Sequence, residues 1–69
     1  MNNYMEINGY MLSIKGIKAV TYVNKHAFID YGASLSHPGG SGVWIPVKNF
    51  EEYEEIADKI FERINEVYD

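Results

Sequence analysis

The residues that invite a chemical reading lie between Asp30 and Val47, in the stretch DYGASLSHPGGSGVWIPV. Within it, Ser36-His37-Pro38-Gly39-Gly40-Ser41-Gly42 can turn successive backbone N–H groups toward an anion. Glycine lets the backbone approach a ligand closely, consecutive amides form a nest, and Ser36 and Ser41 add hydroxyl donors. His37 adds a donor near neutral pH, and Tyr31 or Trp44 offers a ring on which a base can stack. The pattern is not a P-loop, because no Gly-Lys-Ser/Thr is present and no helix follows directly, and it is not a dinucleotide fingerprint. Loops of Gly, Ser and Pro also serve as plain connectors, and the residues alone leave both roles open.

Catalytic combinations are weaker. His26 and Asp30 fall on one face of a single predicted strand, four residues apart, which separates their Cα atoms by roughly 13 Å, too far for a hydrogen-bonded dyad. Ser34, Ser36 or Ser41 beside His37 would make a nucleophile and a base, but no third residue is evident to orient the base. The expectation is a protein that binds without catalysing, and no cofactor is implied. There is no cysteine, and His26 and His37 are the only histidines. Disulfides and thiolate metal sites are therefore excluded, and a structural zinc site would be poor in ligands.

The elements that must hold these residues are legible from periodicity. Asn8-Gly9 between Tyr4–Ile7 and Tyr10–Ile14 predicts a two-residue hairpin, since Asn-Gly supplies the positive φ angles of a type I′ turn. That loop pairs Ile7 with Tyr10 and Met5 with Leu12, and puts Met5, Ile7, Tyr10, Leu12 and Ile14 on one face. Ile17–Val23 and His26–Tyr31 predict a second hairpin about Asn24-Lys25, with Tyr22 facing Ala27 and Val20 facing Ile29. Gly32–Gly42 reads as loop. Val43–Val47 returns as a strand that turns Val43, Ile45 and Val47 one way and Trp44 and Pro46 the other, and Pro46 marks it as an edge.

From Asn49 to Tyr68 the period changes to that of a helix. Asn49 is placed to cap it, with Glu52 three residues on, and Glu51, Glu52, Glu54 and Glu55 sit near the positive end of the helix dipole. Phe50, Tyr53, Ile56, Ala57, Ile60, Phe61, Ile64, Val67 and Tyr68 form an apolar stripe that should be buried on the sheet. The expected fold is α+β: an antiparallel sheet of about five strands, two hairpins plus an edge strand, with one C-terminal amphipathic helix on one face.

Sixty-nine residues make a single domain, 1–69, with a β-rich part over 1–48 and the helix over 49–69. The longest apolar runs are too short to span a bilayer and the N-terminus lacks the form of a signal peptide, so the expectation is a soluble, cytoplasmic protein. The net charge of −4 is unevenly placed. Four Lys against Glu6 and Asp30 make residues 1–48 +2, whereas two basic and eight acidic groups make residues 49–69 −6. Duplex DNA is not an expected partner, because phosphates need a basic face. The acidic helix face suits either a basic partner or plain solubility.

A core this small is marginal and is commonly reinforced by self-association. One helix covers one face of a sheet, and the face expected under it carries Met5, Ile7, Leu12, Val20, Tyr22, Ile29, Ile45 and Val47. Met11, Val23, Phe28 and Trp44 are left as a candidate oligomer face, most economically for a dimer. The competing expectation is a strongly curled sheet that buries Trp44 and Phe28 within itself.

In size, lack of cysteine and build, the chain resembles small phage-encoded counter-defence proteins. That resemblance implies either a homo-oligomeric sponge that sequesters a nucleotide immune signal without chemistry, or a protein inhibitor of a host nuclease. The strand and helix of Val43–Ile64 are similar to the end of a small pleckstrin-homology-like domain, although the chain is too short for that full barrel. The leading expectation is a binding module that captures a small anionic ligand, such as a nucleotide signal, through Tyr31, Ser36, His37, Gly39, Gly40, Ser41 and Trp44. The alternative is an inhibitor acting through its acidic helix face or its aromatic sheet face.

Overall fold

The computed structural model describes residues 3–33 and 40–68. Five strands and one helix follow in order: β1 (Tyr4–Ile7), β2 (Tyr10–Ser13), β3 (Ala19–Val23), β4 (His26–Gly32), β5 (Ser41–Pro46) and α1 (Phe50–Tyr68). The class is α+β and all pairing is antiparallel, as the alternation patterns require. The strands do not form one continuous sheet. β1 and β2 pair only with each other, and β3, β4 and β5 form a separate sheet with β4 in the middle.

Both hairpin registers agree with the patterning: Ile7 lies opposite Tyr10 and Met5 opposite Leu12, while Tyr22 faces Ala27 and Val20 faces Ile29. The turns explain why. Asn8 and Gly9 have φ of 50° and 85°, and Asn24 and Lys25 have 49° and 61°. Positive φ at both central residues defines the type I′ turn, whose twist matches that of the strands it joins. Lys25 adopts this conformation without the freedom of glycine.

The core gathers the apolar sides of all these elements. Ile7, Leu12, Ala27, Ile29, Ile45, Val47, Ile56 and Ile60 form one buried cluster, with Met5, Val20, Tyr22 and Tyr31 packed against it. Ala27, Ile29 and Ile45 share one face of the three-stranded sheet, so the helix and the first hairpin cover the same face. Tyr53 Oη anchors the helix by donating to the Val20 carbonyl at 3.0 Å. The helix begins as its sequence implies. Asn49 Oδ1 accepts from the Glu52 amide at 2.9 Å, while Glu52 Oε1 accepts from the Lys48 amide at 2.9 Å, one residue further back than in a standard capping box. Two residues of the apolar stripe depart from expectation: Phe50 and Phe61 are half exposed. They lie on the flank of the stripe, and Phe50 is covered in part by Tyr22, edge-on at 5.3 Å between ring centroids, and by Tyr53 at 5.5 Å.

β5 starts at Ser41, two residues earlier than the apolar alternation suggests, and its ladder continues to Gly42 opposite Asp30 and Ser41 opposite Gly32. It is an edge strand. Val47 donates to the Lys25 carbonyl at 3.0 Å. Ladder bonds alternate, so the Pro46 nitrogen points away from β4 and its missing N–H costs nothing.

Candidate functional site

The outer face of the three-stranded sheet is set by the register of β4 and β5. Pro46 lies opposite His26, Trp44 opposite Phe28, and Gly42 opposite Asp30. These side chains point away from the core because their neighbours Ala27, Ile29 and Ile45 point into it. The Phe28 and Trp44 rings meet at 4.4 Å between centroids with 33° between planes. The His26 ring stands edge-on to Trp44 at 5.9 Å. Its Nδ1 donates to the Asn24 carbonyl at 2.8 Å, which fixes the ring and leaves Nε2 directed elsewhere.

Gly42 is essential to this arrangement. A Cβ there would lie 2.3 Å from Phe28 Cε1 and 2.8 Å from the Ile29 carbonyl oxygen. The Phe28 ring therefore lies directly over the Gly42 backbone, in space that any other residue would occupy. Glycine is needed here for close approach rather than for an unusual backbone angle.

Beside these rings opens a cavity of about 380 Å³ lined by Phe28, Asp30, Gly40, Ser41, Gly42 and Trp44. Its polar wall comes from a β-bulge. Register is lost between Asp30 and Gly32, so Tyr31 has no partner on β5. Gly32 takes a φ of +78°, and its amide donates to Asp30 Oδ1 at 2.8 Å. The bulge thus holds the Asp30 carboxylate in place at the cavity. Lys18 brings a positive charge to the same end of the sheet. Its amide donates to the Asp30 carbonyl, and its side-chain stem runs alongside Gly32, 3.2 Å from where a Cβ would lie.

The predicted ligand residues are distributed as follows. Gly40, Ser41 and Trp44 come together at the cavity. Tyr31 does not. It follows Ile29 by two and points to the core side, where its hydroxyl donates to the Ser13 carbonyl at 2.6 Å and burial raises its pKa above the ordinary 10.0. Its ring is thus a strut between the sheet and the first hairpin, not a stacking platform. Ser36, His37 and Gly39 lie outside the described residues.

Of the expected oligomer face, Val23, Phe28 and Trp44 share the outer face, and Val23 and Trp44 are 41% and 49% exposed, so a curled sheet does not bury them among the described residues. Met11 is exposed too, but it belongs to the other sheet, opposite Glu6, and is not continuous with them. Lys15-Gly16 reads in the sequence as a break or bulge, and Gly16 has a φ of +93°, but periodicity does not say that the strands on its two sides fall in separate sheets.

Asp30 lines the cavity and His26 packs on Trp44, roles that their spacing along one strand does not reveal. The signal that could have found them was the register itself, which sets Asp30 across from Gly42 and His26 next to Trp44. A smaller hollow of about 230 Å³ lies between Met5 and the helix residues Lys59, Glu62, Arg63 and Glu66, away from all of these groups. Among the described residues no cluster of His, Asp and Glu is arranged to hold a metal ion, and no helix is long and apolar enough to cross a membrane. No family model, curated protein or solved structure shows a significant match to this chain.

Proposed function

We propose that this protein is a non-enzymatic binding module that captures a ring-bearing anion, a nucleotide or nucleotide-derived signal, on the outer face of its three-stranded sheet. The observation that carries the reading is the cavity of about 380 Å³ lined by the Phe28 and Trp44 rings, whose centroids are 4.4 Å apart, together with Asp30 and the Gly40–Gly42 segment. Ligand pockets commonly fall between about 300 and 1,000 Å³, so this one suits a single nucleobase. Stacking on aromatic side chains contributes about 1–3 kcal/mol per base. The acidic helix lies behind the opposite face of the sheet, so the core separates the −6 of the tail from the ligand.

The face that holds the ligand also exposes Val23, and a second copy docked there would enclose more of a nucleotide than one open cavity can. Trp44 is the only tryptophan of the chain, so its fluorescence reports on the site directly. Native mass spectrometry of protein purified from cells should find a co-purifying nucleotide, with two copies in the complex. Titration with a nucleotide panel should quench Trp44, and Trp44→Ala should abolish retention of the ligand while leaving the far-UV spectrum unchanged. A bare monomer with neither a fluorescence response nor a thermal shift across the panel refutes the proposal.

A further inference from the structure

Among the described residues that line the cavity, Asp30 is the one ionisable group, and a carboxylate is an unexpected neighbour for an anionic ligand. Phosphate would be repelled by it, so the phosphate of any nucleotide must lie elsewhere and Asp30 must face another part of the molecule. Among the described residues only the Gly32 amide donates to this carboxylate, through Oδ1 at 2.8 Å. Asp30 lines the cavity, and among the described residues no donor engages Oδ2. We infer that Asp30 reads the base, and that the preferred ligand is a guanine nucleotide. This inference rests on the ring-capture reading above and specifies its ligand.

The chemistry follows from the edges that bases present. A carboxylate is purely an acceptor, with two oxygens in one plane. It is matched by two adjacent donors in the plane of a stacked ring. Guanine offers that pair in N1–H and the 2-amino group. Hypoxanthine has N1–H alone. Adenine sets its 6-amino donor next to N1, an acceptor, and cytosine sets its 4-amino donor next to N3, also an acceptor. Uracil flanks N3–H with two carbonyls. Each of these four loses a bond to Asp30 or turns a lone pair against it, and a buried acceptor left facing a lone pair is costly.

The geometry is suited to such a readout. Asp30 and Gly42 are cross-strand partners, and Phe28 precedes Asp30 by two on the same face, so carboxylate and ring lie side by side along one strand. A base stacked on the Phe28–Trp44 pair would present its edge, not its face, toward Asp30. The Asx bond to Gly32 restrains the carboxylate before ligand arrives, which reduces the entropy lost on binding.

The test measures quenching of Trp44 by GMP, IMP, AMP and UMP with the wild-type chain and with Asp30→Asn. The Asn side chain keeps an Oδ1 acceptor for the Gly32 amide and replaces the other oxygen with a donor, so the bulge is retained; a thermal melt verifies this. Wild type should bind GMP about 10-fold or more tighter than IMP or AMP, the discrimination of a bidentate base contact. Asp30→Asn should lose that preference and gain on AMP, whose N6 and N1 pair with an amide. Equal affinity for all four nucleotides, unchanged in Asp30→Asn, overturns base reading but leaves ring capture standing. No response of Trp44 to any of them overturns both. The wild-type series alone decides the question if the variant fails to fold.

Discussion

Replacing Gly42 by alanine tests whether the outer face is built as described. The added methyl would sit 2.3 Å and 2.6 Å from two atoms of the Phe28 ring and 2.8 Å from the Ile29 carbonyl oxygen. The ring can swing aside, but the carbonyl belongs to the central strand and cannot. Overpacking of this kind costs about 1–3 kcal/mol. Displacing Phe28 also weakens its stack with Trp44, a contact of about 0.5–1.5 kcal/mol. The lower conformational entropy of unfolded alanine returns about 0.4–1 kcal/mol. The net loss is about 2 kcal/mol, a large share of the stability of so small a domain, and corresponds to a fall in Tm of about 8–16 °C. Thermal unfolding followed by far-UV circular dichroism gives the Tm, and Trp44 emission and the near-UV spectrum report the ring pair. The decisive measurement is a double-mutant cycle with Phe28→Leu. That change should be costly in wild type and much less so, or stabilising, in the G42A background, because it removes the atoms in collision. A G42A protein that melts at the wild-type temperature, or a Phe28→Leu cost that is the same in both backgrounds, refutes the placement of Phe28 over Gly42.

Two further perturbations probe the frame that holds the face. Tyr31→Phe removes the 2.6 Å bond to the Ser13 carbonyl and should cost about 1 kcal/mol in chemical denaturation. Burial raises the Tyr31 pKa above 10.0 in the folded protein, so its contribution is complete below pH 10 and is lost as pH rises through the higher folded value. The wild type should therefore lose more stability above pH 10 than Tyr31→Phe does, and parallel alkaline limbs would contradict this. Lys25→Gly should stabilise the protein by about 0.5–1 kcal/mol, because Lys25 is held at a φ of 61° that glycine adopts without steric cost. A lower Tm in that variant would show that the second hairpin does not close through a type I′ turn.

The local elements were legible in the sequence because each has a local cause. Asn8-Gly9 encodes its own turn, a period of two places Ile7 and Leu12 inward, and Asn49 with Glu52 starts a helix whose stripe carries Ile56 and Ile60. All eight residues expected on the covered face, from Met5 to Val47, lie in the core cluster or pack against it. Even the outward turn of Trp44 followed from alternation across one short strand. These are consequences of side-chain direction and turn geometry, which act over a few residues.

What the sequence could not decide were relations between segments that do not adjoin. Whether five strands make one sheet or two depends on how the chain leaves β2 at Gly16, and periodicity is blind to that, so Met11 was grouped with a face it does not join. Tyr31 was read as a ring for a ligand because it neighbours the Gly-rich loop. Tertiary packing sends it to the Ser13 carbonyl instead. Asp30 was weighed against His26, four residues away along its own strand, when the partners that matter lie across the ladder and over the bulge at Gly42 and Gly32. The stretch from Asp30 to Val47 was marked by composition alone. Its meaning as a cavity, with two stacked rings, a bare glycine backbone and a restrained carboxylate, arises only when β4 and β5 are laid side by side, since a one-residue change of register would send every one of those side chains to the opposite face.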